Sequence, residues 1–155
     1  MTHPTRAPRL SWIITAAAVA PATLQTALRE VVNATFNMIS VDGDTSTNDM
    51  VAVLANGAAG NPIVTRQKGY QPPKEALHLV CETLAKKIAR DGEGATTLLE
   101  VRIENARTVE DARLAARSVT KSPLVKTAVF GRDPNWGRIL AAVGYSGAEF
   151  DPAIV

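Results

Sequence analysis

Cysteine is all but missing. Cys81 stands alone in 155 residues, so no internal disulfide can form and a small secreted fold held by disulfides is excluded. Histidine is scarce as well, with only His3 and His78. One Cys and two widely spaced His cannot make a structural zinc site. Without a nucleophile-elbow pattern, they also leave a serine-type triad unsupported. Aromatic residues are 5% of the chain, so any core is built mostly from Ala, Val, Leu and Ile. Neither sign of charge dominates. The net charge is +2 and the basic residues are scattered, with short pairs such as Lys86-Lys87 and no basic stripe, which excludes a nucleic-acid partner. No apolar run reaches the roughly 18 residues of a spanning helix. Residues 10–20 are apolar, follow Arg6 and Arg9, and match a signal-peptide core in length. A buried strand is the better expectation there, and a cytoplasmic protein with no membrane partner is the default.

What is present is an ordinary globular composition, 46% hydrophobic and 21% charged, of a length that predicts one domain. Residues 1–9 read as an irregular segment and 10–155 as a single domain. A strand is predicted over 10–19. A helix over 21–36 carries a stripe of Leu24, Leu28, Val31 and Val32, with Pro21 in its first turn. Short strands are predicted over 38–41 and 50–54. A Gly- and Pro-rich break follows at 56–62. The clearest helix runs over 73–90, with Leu77, Val80, Cys81, Leu84 and Ile88 on one face, and Asp91-Gly92-Glu93-Gly94 ends it. Residues 98–103 alternate like a strand. Thr108 is placed to cap a helix to 120, with Asp111 three residues on. A strand is predicted over 124–130, a polar loop over 131–137, and 139–143 is strand or helix. The mixture predicts an α/β or α+β class.

Chemistry concentrates in Val41-Asp42-Gly43-Asp44-Thr45-Ser46-Thr47-Asn48-Asp49, a polar knot between two apolar runs. Such residues bond nearby backbone and favour turns. A calcium loop counted from Asp42 needs Gly at its sixth place and Glu at its twelfth. Thr47 and Val53 stand there, so that reading fails. A Mg²⁺ site on Asp42, Asp44 and Asp49 stays open beside the plainer reading, carboxylates capping backbone N–H groups. Gly57 and Gly60 lack the following Lys of a phosphate loop, and no cofactor motif is present. His78 falls one residue from the apolar face of its helix. Chemistry without His does exist for a hydroxyl nucleophile, since an N-terminal Thr can use its own amine as base.

Several stretches together resemble one family. They are 36–40 running into the knot, Ala55-Asn56-Gly57-Ala58-Ala59-Gly60-Asn61, Asp91-Gly92-Glu93-Gly94-Ala95-Thr96, Ser122-Pro123-Leu124-Val125-Lys126-Thr127-Ala128, Asp133-Pro134-Asn135-Trp136-Gly137-Arg138, and Gly144-Tyr145-Ser146-Gly147. In this order and spacing the chain is similar to the ornithine acetyltransferase/glutamate N-acetyltransferase family of arginine biosynthesis. The resemblance implies a sandwich of sheets between helix layers. It also implies a precursor that cuts itself between an Ala and a Thr. The freed Thr, heading the second chain, moves acetyl from N-acetylornithine to glutamate, and some members also accept acetyl-CoA. The first chain supplies the oxyanion donors and stays associated, often in larger assemblies.

On this resemblance the chain matches the second chain, with residues 1–9 in the cleavage region. Ala7 matches the Ala before the cut, and Pro8 sits where the nucleophilic Thr is expected. Proline has no hydroxyl, so no catalytic residue is intact. The family Lys just upstream of this stretch and its closing Asn and Ser/Thr contacts find no counterpart. Glu93 is the one substrate-binding position carried over, implied to meet the substrate's charged amino group. Met38 stands where the family often has Arg, and Thr97 where it often has Lys. The expectation is a member or remnant of the family, inactive without a first-chain partner or oligomer, or else a non-catalytic amino-acid-binding or metal-binding module. Alone it is expected to expose apolar surface.

Overall fold

The computed structural model describes residues 10–41, 43 and 48–151. Elements alternate early and become helical later: β1 (Leu10–Thr15), α1 (Pro21–Ala34), β2 (Met50–Ala55), α2 (Gln71–Arg90), α3 (Val109–Lys121), α4 (Pro123–Phe130) and α5 (Trp136–Gly144). The class is mixed α/β, as expected. Among the described residues the sheet is one parallel pair, β1 beside β2, with Leu10 opposite Met50 and Thr15 opposite Ala55. A parallel pair needs a crossover, and α1 supplies it.

Sheet and helices close the first core. Ala27 and Val31 of α1, Phe36, and Leu77, Cys81 and Ala85 of α2 are buried together, with Ile13, Val51 and Val53 of the sheet packed against them. Period-2 alternation sends the other strand residues to the opposite face. There Leu10 and Trp12 are each 59% exposed and Ile14 73%. That face has no cover among the described residues. A second core joins Ala115 and Val119 of α3, Val125 of α4, and Ala142 and Val143 of α5, with Leu99, Val101 and Ile103 against it.

The break at 56–62 is tied back to the segment between β1 and α1. Asn61 Oδ1 accepts from Ala18 N at 2.9 Å and its Nδ2 donates to Ala18 O at 3.2 Å. One amide side chain thus imitates a strand's donor and acceptor. Val19 bridges Val64 just beyond. The strand predicted over 10–19 therefore divides into β1 and this bridge.

Three expectations are corrected. Residues 38–41 form no strand: a 3-10 turn over Phe36–Met38 follows α1 instead, because Thr35 Oγ1 turns back to Val31 O and the buried Phe36 locks the exit. Residues 124–130 are helical, since Ser122 caps the N-terminus by accepting from Val125 N and Pro123 opens the first turn. Residues 98–103 keep the strand alternation, Leu99, Val101 and Ile103 inward, yet form no ladder among the described residues. The undecided 139–143 segment lies in α5, capped by Asn135 Oδ1 accepting from Arg138 N. Thr108 caps α3 as expected, its Oγ1 accepting from Asp111 N at 3.0 Å.

Candidate functional site

The 3-10 turn and the 39–41 exit, the C-terminal half of α2, the 93–101 segment and the exposed side of α4 surround a cavity of about 700 Å³. It lies at the seam between the two cores. Met38, Ile39, Val41, Leu99 and Val129 give it apolar walls, and Glu82, Lys86, Glu93, Glu100 and Lys126 bring charge to it. A mostly apolar hollow with a few convergent polar groups is the usual form of a small-molecule site.

Glu93 reaches the cavity because α2 stops beside it. Asp91 closes the helix through its N–H to Lys87 O, and Ala95 N donates to Gly92 O across the turn. Gly92 is buried, and a Cβ there would lie 2.9 Å from Val41 Cγ1. Gly94 has φ +69°, a left-handed conformation that glycine tolerates best. The two glycines thus have different uses: one admits Val41, the other turns the chain around Glu93.

The cations of the cavity differ. Lys86 Nζ sits 3.0 Å from Glu82 and 3.2 Å from Glu100. The Lys86 hydrogen bond is the main cause that holds Glu82 below its ordinary carboxylate value. Bonds to Glu82 and then Glu100 raise Lys86. Lys126 Nζ donates instead to Val41 O at 2.8 Å, across 85 residues of chain. The Ser40 hydroxyl, also at this wall, is buried with no hydrogen-bond partner among the described atoms. A ligand or a water would satisfy it.

The structure thus brings Glu93 to the cavity together with Met38 and Thr97, the two positions where the family pattern often carries a cation. Pro8 and Ala7 lie outside the described residues, as do Asp42 and Asp44. Among the described residues no three His, Cys, Asp or Glu side chains group to hold a metal. His78 borders the cavity with Nδ1 3.9 Å from Glu82. Sequence reasoning missed Lys126, although it is the one charged residue between Ser122 and Gly131. A lone Lys in an apolar, Ser-Pro-capped helix was the available signal.

A model of the ArgJ family matches residues 1–155, the whole chain. The chain belongs to the ArgJ family. It is 60% identical to the arginine biosynthesis bifunctional protein ArgJ of Symbiobacterium thermophilum over 156 residues, covering 100% of this chain and 39% of that protein. It is 55% identical to the ArgJ protein of Dehalococcoides mccartyi, covering 97% and 38%. The chain therefore spans well under half the length of the curated relatives it matches. The crystal structure of the arginine biosynthesis bifunctional protein argJ from Bacillus halodurans superposes with a TM-score of 0.89 at 50% identity, covering 92% of this chain and 67% of that one. The ArgJ signatures now have physical work assigned to them. Asn61 ties its loop to Ala18 between β1 and α1, Asn135 caps α5, and Arg138 Nη1 donates to Leu124 O and Thr127 Oγ1 of α4.

Proposed function

We propose that the chain is the amino-acid-binding part of a glutamate N-acetyltransferase second chain, and that it transfers no acetyl group by itself. Residues 1–9 are then the cleavage-region segment and 10–155 one domain. The observation that carries the reading is Glu93 on the wall of the seam cavity, a carboxylate suited to the ammonium of N-acetylornithine or of glutamate. Two further facts support it. The solved Bacillus halodurans chain is little more than half as long as the curated relatives, judged by the shares that this chain covers, as one chain of a cut precursor would be. The bare face of β1 offers apolar surface of the kind a second polypeptide covers. On this reading the protein is cytoplasmic, and acetyl-CoA is a second acetyl donor.

Transfer needs a hydroxyl to carry the acetyl ester and donors for the developing oxyanion. Pro8 cannot supply the first, and the first chain supplies the second. Losing one oxyanion donor typically lowers the rate by about 10²–10³-fold. The test mixes this chain with the purified first chain of the Symbiobacterium thermophilum relative and measures acetyl transfer from N-acetylornithine to glutamate. The expected result is background rate for the native chain and recovery for a chain that starts at position 8 with Pro8→Thr, which supplies both the hydroxyl and the free N-terminal amine. Transfer by the native chain at the rate of the variant would overturn the role given to Pro8. In parallel, calorimetric titration with ornithine should show binding that Glu93→Ala weakens. Binding indifferent to that change would remove Glu93 from the site.

A further inference from the structure

Glu93 and Lys126 reach the cavity from the two different cores, and both are registered on one residue. Val41 presses its side chain against Gly92, the neighbour of Glu93, and offers its carbonyl to Lys126 Nζ at 2.8 Å. The carboxylate and the ammonium are therefore held around a common fixed point. Lys126 is half-buried beside apolar wall residues, where an unneutralised charge is costly. Lys86, the other ammonium at the cavity, is already neutralised between two carboxylates. Among the described residues Lys126 makes no such pair, and its partner is a neutral carbonyl. An ammonium has three donors, and Val41 takes one. The remaining two are available to the cavity that Glu93 also lines.

We propose that Lys126 receives the α-carboxylate of the amino-acid ligand whose amino group meets Glu93. This rests on the amino-acid reading of the cavity and adds the group that selects amino acids over simple amines. Lys126 supplies charge and two N–H donors without taking part in bond making. Val41 fixes its position, so the site is preorganised before the ligand arrives.

The probes are ornithine and putrescine, its counterpart without the carboxylate, titrated calorimetrically into the full chain, with a thermal melt of every variant. The native chain should bind ornithine roughly 10–100-fold more tightly than putrescine, the value of a charge-assisted hydrogen bond. Lys126→Met should bring ornithine down to the putrescine level and leave putrescine unchanged, whereas Lys126→Arg should keep the preference. If ornithine weakens with Glu93→Gln but binds Lys126→Met as it binds the native chain, the role of Lys126 is overturned and the amino-acid reading survives. No binding of ornithine to the native chain overturns both. If Lys126→Met fails to melt cooperatively, the native preference and its persistence in Lys126→Arg decide the matter. Equal affinity of the native chain for the two probes sinks the proposal.

Discussion

The two cores of this chain are built on different principles. The first, around Val31, Phe36 and Cys81, joins helices to a parallel ladder, so backbone hydrogen bonds and burial act together. The second, around Val119, Val125 and Ala142, is helical and relies on side-chain caps at Thr108, Ser122 and Asn135. Its one extended segment, 98–103, lays Leu99, Val101 and Ile103 on the helices without a ladder. Each core leaves apolar residues bare, Trp12 and Ile14 on the first, Phe130 and Trp136 on the second. The candidate site lies where the cores meet. There neither core fills the space, and single contacts such as Lys126 to Val41 bridge the gap.

The largest effect should come from removing the keystone of one core. Phe36→Ala, at a residue 1% exposed, should cost about 3–5 kcal/mol. Val119→Ala, equally buried, should cost about 1.5–3 kcal/mol. Hydrogen exchange resolved along the chain checks the comparison. Phe36→Ala should strip protection from α1 and α2 before α3 and α5, and a uniform loss over both cores would mean that they unfold as one.

Gly92→Ala comes next and acts on the seam. The added Cβ meets the stiff Val41 side chain at 2.9 Å, an overpacking that should cost about 1–3 kcal/mol. Denaturant unfolding reads the loss. Ornithine affinity should fall with it, because Glu93 rides on the same turn, and a variant as stable as the native chain would show that Val41 is free to yield.

Removing a cap from the helical core should cost less, about 1 kcal/mol. Ser122→Ala frees Val125 N in a buried setting, whereas Thr108→Ala exposes Asp111 N to water. Ser122→Ala should therefore be the more damaging of the two in parallel thermal melts. The reverse order would remove burial as the cause.

The smallest effects near neutral pH are electrostatic and fall on the first core. A hydrogen bond from Lys74 is the main cause that holds the Glu30 carboxyl below its ordinary 4.5, and the same bond raises Lys74 above 10.5. The Glu30 contribution is present above 4.5 and is lost as pH falls through the depressed value. The Lys74 contribution is present below 10.5 and is lost as pH rises through the raised one. Both groups are about one-third open to solvent, which screens the pair, so each effect is slight. Burial pushes the Cys81 thiol up to about 11 from 9.0. The unfolded chain then releases that proton first, and stability should fall as pH climbs from about 9 to about 11. Melting temperature against pH should show this slope, and Cys81→Ala should flatten it. An unchanged slope in the variant would assign the loss to other groups.

Particular residues show where sequence reasoning reached and where it stopped. Thr108 with Asp111, Pro21 before an apolar stripe, and Asp91 to Gly94 after a long one were legible as helix ends, because caps and breakers act through neighbours in sequence. The apolar run 124–130 was misread as a strand. Its composition suits both structures, and Ser122-Pro123, which decides for a helix, lies just outside it. Residues 98–103 were read correctly in pattern and wrongly in state, since alternation records which side is buried and a ladder needs a partner. At the site, Glu93 was legible through a motif and Lys126 was not.

The sequence by itself determined the family, the helix boundaries set by local caps and the candidacy of Glu93. These depend on residue identity and on neighbours a few positions apart. Only the tertiary structure decided that Gly92 must be small, that Lys86 is neutralised, and that Lys126, bonded to Val41, lines the same cavity as Glu93. Those facts join residues up to 85 positions apart, and packing alone brings such residues together.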